Sequence, residues 1–168
     1  FGLEPMARSE FSACLARALA IAASTAYRRH PIFLKLRGSD AAASGKSFLA
    51  LHSLLAKEGL LAQRRDYTAL IALLGKGGAW REAIASLDLM RRSALSPGVE
   101  AFTAAVSACS GALQAERALE LFDALPRHGV DANVVAYSAA IAACERGHWW
   151  QRGVELLRRM RLDCVEAT

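Results

Sequence analysis

Tyr67, Phe102 and Tyr137 stand 35 residues apart, and the residues around them recur at the same interval. After each aromatic come Thr68, Thr103 and Ser138, then Ala69, Ala104 and Ala139, then Ile71, Val106 and Ile141. The register persists through Ala83, Ala118 and Gly153, through Leu87, Phe122 and Leu157, and through Met90, Leu125 and Met160. A period of this length marks a solenoid, in which one small unit buries its apolar face by stacking on its neighbours. Few other architectures tolerate so strict a repeat, and any surface it builds presents equivalent positions once per unit.

Each unit reads as a helix hairpin, which makes the chain all-α. Its first stretch, Tyr67 to Leu74 in the earliest full unit, ends at a glycine-containing break, here Gly75 to Gly78. The matching breaks are Ser110 to Ala112 and Arg146 to His148. In the second stretches, Trp80 to Arg92, Glu116 to Leu125 and Trp149 to Arg161, apolar residues recur at helical spacing. Ile84, Leu87 and Met90 form one such face, and Ala83, Ala118 and Gly153 precede these faces where two helices can approach closely. The sequence divides into residues 1–45 as an N-terminal helix and loop, 46–63 as the second helix of a degraded unit, and full units at 64–98, 99–133 and 134–168. Phe48, Leu49 and Leu55 supply the apolar face of the degraded unit. Pro31 and Gly38 disrupt its first helix, so a helix over Arg8 to Tyr27 is expected, with Ser39 to Gly45 as an inserted loop.

Apolar residues make up 54% of the chain, enough for a sizeable core, and the net charge of +5 suits a polyanionic partner without demanding one. Residues 6–37 are rich in Ala, Arg and Ser with Glu10 their one acidic residue; they read either as an organelle transit segment or as a basic helix of the fold. No run of 18 apolar residues occurs, so no spanning helix and no membrane partner are expected. Cys14, Cys109, Cys144 and Cys164 lack zinc-ligand spacing, and Cys109 and Cys144 read as small buried hydrophobes of a reducing compartment. The run from Gly38 to Ser47 imitates a phosphate loop, but Asp40 stands where that motif needs glycine. His30, His52, His128 and His148 share no helix face at metal spacing, and no nucleophile–base or paired-carboxylate set stands out. The chain is therefore read as non-enzymatic, with neither metal nor cofactor. Trp80 and Trp150 occupy equivalent second-helix positions and read as packing between units.

A 35-residue hairpin with Tyr at position 4, a polar residue at 5, Ala near 20, Met near 27 and Pro near 34 resembles the pentatricopeptide repeat. Asn133-Val-Val-Ala-Tyr-Ser138 and Ala142-Ala-Cys-Glu-Arg-Gly147 are similar to its consensus phrases. The tetratricopeptide repeat has a period of about 34 residues and a W-x2-L-G-x2-Y start, which no unit here carries. The resemblance implies an α-solenoid wound as a right-handed superhelix. It also implies a single-stranded RNA partner read one base per repeat, and an organellar location in chloroplast or mitochondrion.

Carried over unit by unit, the resemblance assigns base reading to Thr68 with Gly98, Thr103 with Asn133, and Ser138 with Thr168. Gly98 has no side chain and discriminates poorly. Thr103 with Asn133 is the combination that favours adenine, whose ring nitrogen and exocyclic amine match a carboxamide. Phe33 would be the reader of the degraded unit and cannot hydrogen-bond a base. Base-packing positions are Arg65, Glu100 and Val135, of which Glu100 departs from the family pattern. Lys76 and Arg146 are the phosphate positions, with Gly111 between them in the repeat order. Two other readings stay open: a helical scaffold for a protein partner, and the targeting arm of an RNA-processing enzyme whose catalytic domain lies elsewhere. Thr168 is the last residue of a unit with no polar capping helix, so an exposed edge open to protein partners or further repeats is expected there.

Overall fold

The computed structural model describes Glu10, Ala13, Cys14, Ala16, residues 48–57 and residues 59–165. Most of residues 6–37, including Phe33, lie outside the described residues, as do the loop assigned to Ser39–Gly45 and Thr168. The described part contains the helices α1 (Phe48–Lys57), α2 (Arg64–Gly77), α3 (Trp80–Arg92), α4 (Val99–Gly111), α5 (Ala115–Ala124), α6 (Val134–Arg146) and α7 (Trp150–Val165), with a 3-10 turn at Pro126–His128. It contains no strand, and the chain is an all-α helical-repeat solenoid. Among the described residues no helix is long and apolar enough to cross a membrane.

The first helices α2, α4 and α6 begin at Arg64, Val99 and Val134, again 35 residues apart. They pack side by side as one layer, α2 on α4 and α4 on α6. The second helices α3, α5 and α7 pack on their own first helices, and α3 and α5 also pack on the first helix of the next unit, α4 and α6. Small side chains make this close packing possible. Ala101, Ala105, Ala108, Ala136, Ala140 and Ala143 are all buried. A side chain cannot be added at Gly75, where an ideal Cβ would stand 2.7 Å from Cβ of Ala108, nor at Gly147, where it would stand 2.6 Å from Cβ of Ala115.

The turns repeat as faithfully as the helices. Gly78, Leu113 and His148 hold equivalent positions between the two helices of a unit, and all three have positive φ. Gly59, Ala94 and Gly129 do the same at the end of the second helix. The break motifs therefore lead to a left-handed residue, but in two units that residue is Leu113 or His148 rather than the motif's glycine. Such a conformation costs about 1–2 kcal/mol for a non-glycine residue. Leu113 and His148 are exposed, and their turns are closed by backbone hydrogen bonds from the Gln114 amide to the Cys109 carbonyl and from the Trp149 amide to the Cys144 carbonyl, both 2.9 Å.

The repeating aromatic is fully buried and reaches position 30 of its own unit. The Tyr67 hydroxyl is 3.0 Å from Oγ of Ser93, Tyr137 donates to Asp163, and Phe102, which has no hydroxyl, stacks on His128 with centroids 5.2 Å apart. Tyr67 also stands 3.1 Å from Nε2 of His52, which ties α1 to the array. On α1 Phe48, Leu51 and Leu55 are buried, whereas Leu49, expected on that apolar face, points to solvent. Leu49 falls about 100° around the helix from Phe48 and so cannot share its side.

Cys109 and Cys144 are buried, and burial pushes the Cys109 thiol up to about 12 from 9.0 and raises that of Cys144. A thiol raised on folding is stabilising below its unfolded value. The Cys109 contribution is therefore intact up to about pH 9 and falls as pH rises toward 12, by at most about 1.4 kcal/mol per pH unit. Chemical denaturation between pH 8 and 11 should show this decline, and Cys109→Ala should flatten it.

Candidate functional site

The layer of first helices leaves a concavity of about 560 Å3 that spans three units. Its walls carry Thr68 and Lys76 from α2, Glu100 and Thr103 from α4, Asn133 at the entry of α6 and Val135 within it. Six of the positions assigned by resemblance thus meet in one place, although they span 68 residues of sequence. The floor is made of Ala72, Gly75, Ala104 and Ala108, with Ser107 at the rim. The volume is that of an ordinary small-ligand cleft.

The floor residues were missed by sequence reasoning, yet they leave a signal. Ala72, Ser107 and Ala142 occupy equivalent positions and are small in every unit. Gly75, the tightest of the floor contacts, lets α2 and α4 approach. The hollow exists because nothing larger stands there.

Each reading residue has its own hydrogen-bond status. Thr68 donates to the carbonyl of Arg64 at 3.0 Å, and Ser138 donates to that of Val134 at 2.8 Å, the usual back-bond of a hydroxyl in a helix. Thr103 differs: its Oγ1 is buried and has no hydrogen-bond partner. A buried hydroxyl left unsatisfied costs about 1–3 kcal/mol, so this atom is the one hydroxyl of the three whose hydrogen-bonding capacity is wholly unspent.

Asn133 is the N-cap of α6, its Oδ1 accepting from the amide of Ala136 at 2.9 Å. The cap fixes the carboxamide at the mouth of the concavity. One lone pair on Oδ1 and both Nδ2 hydrogens are left for a ligand. Gly98 holds the equivalent N-cap position of α4, and the Arg64 guanidinium occupies the space a side chain there would need.

The remaining positions separate. Arg65 is exposed, 4.0 Å from Asp66, and does not line the concavity. Arg146 reaches across the unit boundary and donates to Oγ of Ser110 at 2.6 Å. This bond makes Arg146 a clamp between α4 and α6 as well as a cation. Ser138 lies outside the concavity, and its partner Thr168 lies outside the described residues. Trp80 packs, 8% exposed and with the Arg81 guanidinium 4.6 Å from its ring centroid, while Trp150 is exposed, contrary to the packing expected of both. Among the described residues no group of three His, Cys, Asp or Glu side chains is placed to hold a metal.

The concavity offers hydroxyl and carboxamide groups for polar edges, an aliphatic surface at Val135, one cation and one carboxylate. In comparison with known proteins, a family model described as pentatricopeptide repeat-containing protein matches residues 39–160. No curated protein matches the chain.

Proposed function

The chain belongs to the pentatricopeptide repeat family, and from that premise we propose that its first-helix surface binds single-stranded RNA by reading unstacked bases, in the service of organellar RNA metabolism. The observation that carries this reading is the meeting of Thr103, with its unspent hydroxyl, and Asn133, with its held carboxamide, over one hollow. A base entering there meets the Asn133 carboxamide on its edge, Thr103 reaches it once rotation about χ1 turns the buried hydroxyl into the hollow, and Val135 covers its face. Single strands suit such a site because a duplex hides those edges.

Thr103 with Asn133 is the best-defined reader and is proposed to take adenine. Thr68 stands at the same hollow but is paired with Gly98, so its unit contributes contact more than choice. Lys76 is proposed to meet the phosphates, and Arg146 to do so with the donors that its bond to Ser110 leaves over. Each good base-edge pair contributes about 1–3 kcal/mol of discrimination, so an array of this length binds weakly and gains specificity from whatever acts beside it.

Glu100 opposes a phosphate in the same concavity. Replacing it by Lys reverses that term and changes the charge by two, worth about 1 kcal/mol per charge at contact distance in water, and should tighten RNA binding about thirty-fold. The same carboxylate favours a second reading, a scaffold for a protein partner. Titration with labelled single-stranded RNA at several salt concentrations separates the two. Binding that weakens with salt supports the RNA reading. Absence of binding at low salt with helicity intact removes it.

A further inference from the structure

The boundary between the first two full units is chemically unlike the one that follows it. In the repeat order Arg64, Gly98 and Glu100 correspond to Val99, Asn133 and Val135. At the later boundary a carboxamide is accompanied by two aliphatic residues. At the earlier one a residue without a side chain is accompanied by a cation and a carboxylate. All three places differ together.

The charged pair converges on the empty place. A Cβ built on Gly98 would meet the Arg64 guanidinium and would stand 2.9 Å from Oε2 of Glu100. Arg64 lies one helical turn before Thr68 on α2, and the Thr68 hydroxyl donates to its carbonyl at 3.0 Å. Glu100 lines the concavity together with Thr68. Both charged side chains are exposed, and among the described residues neither enters a salt bridge or a side-chain hydrogen bond. Their donors and acceptors are unspent.

One base matches this pair on two edges. A guanidinium donates two parallel N–H bonds to O6 and N7 of guanine, the commonest specific contact of arginine with a base. A carboxylate accepts from N1–H and N2–H2 on the adjoining edge, and an unstacked base in a single strand exposes both edges. Adenine offers the guanidinium N7 alone and turns its N6 amine toward it, while cytosine and uracil have no N7.

We propose that Arg64 and Glu100 together read guanine at the first full unit, in place of the side chain that Gly98 lacks. This rests on the RNA reading above and deepens it: Thr68 and Gly98 by themselves leave that unit little choice, and the charged pair supplies it. Glu100 then lowers affinity through the phosphates and raises selectivity for one base.

The test titrates the full chain with labelled uridine strands that carry one adenine, with each of the four bases placed on both sides of it. Guanine flanks should bind about ten-fold more tightly than uracil or cytosine flanks. Arg64→Ala should abolish that ratio; its lost charge weakens all strands alike, so the ratio and not the affinity is read. Glu100→Lys should flatten the ratio while it tightens binding to the pyrimidine-flanked strands. Gly98→Asn keeps an extended backbone open to any residue, at φ −90° and ψ 178°, and pushes aside only the end of a flexible side chain. It should move the preference from guanine to adenine. Equal affinity for guanine and pyrimidine flanks, or a guanine preference that survives Arg64→Ala, overturns the proposal. Weaker binding when the central adenine is replaced by uracil shows that the Asn133 reading stands even then, whereas absence of binding to every strand at low salt removes both.

Discussion

Replacing Phe122 with Ala should cost about 3–5 kcal/mol and should release the third unit before the others. Phe122 is buried, and its ring meets Tyr137 edge-on with centroids 5.0 Å apart, so it joins the second unit to the third. A solenoid is stabilised by each unit and by the interface with its neighbour, with no contacts across the stack to compensate. Hydrogen exchange in Phe122→Ala should therefore lose protection over α6 and α7 while α2, α3 and most of α4 keep theirs. Equal loss along the whole chain would show that the units unfold together and would contradict the nearest-neighbour account.

Gly75→Val should both destabilise the chain and weaken RNA binding. A Cβ at this position stands 2.7 Å from Cβ of Ala108, too close for either atom to keep its place. Overpacking of this kind costs about 1–3 kcal/mol, which outweighs the roughly 0.3–0.5 kcal/mol gained by replacing a helical glycine with valine. The added bulk rises from the floor of the concavity and drives α2 from α4, which separates Thr68 from Thr103. We expect a lower melting temperature and RNA affinity reduced at least ten-fold, an amount near 1.4 kcal/mol. Pairing Gly75→Ala with Ala108→Gly moves the methyl group across the contact and should restore both properties. If Gly75→Val leaves melting and binding unchanged, the close approach of these helices is not what shapes the site.

Much of this arrangement is legible in the sequence because the period is so regular. The hairpins, the small residues at close contacts and the burial of Tyr67, Phe102 and Tyr137 all follow from one interval. The equivalence of Gly98 and Asn133 follows too, since the last residue of one unit is also the N-cap of the next first helix. What the interval hides is the difference between units. Thr68, Thr103 and Ser138 read alike, but the first and last satisfy their hydroxyls on their own helix and Thr103 does not. Arg146 reads as a phosphate cation, yet it also donates to Ser110 of the preceding unit. Trp150 reads like Trp80, but burial depends on a neighbouring helix and not on the residue itself. Position in the stack, which a repeat pattern leaves out, decides each case.

The function of Asn133 offers the sharpest discrimination. Asn133→Ala would remove the cap bond to Ala136 as well as the base contact, and a lost N-cap costs about 1 kcal/mol. Asn133→Asp keeps an oxygen that accepts from Ala136 and replaces a carboxamide, which donates and accepts, by a carboxylate that only accepts. The fold is retained while the base preference moves from adenine toward guanine. The decisive measurement is the affinity of the chain and of Asn133→Asp for two single-stranded RNAs that differ only by adenine or guanine at one position. The account predicts crossed preferences, adenine tighter with Asn133 and guanine tighter with Asp, with a coupling of about 1–3 kcal/mol. The same order of preference in both proteins would contradict it.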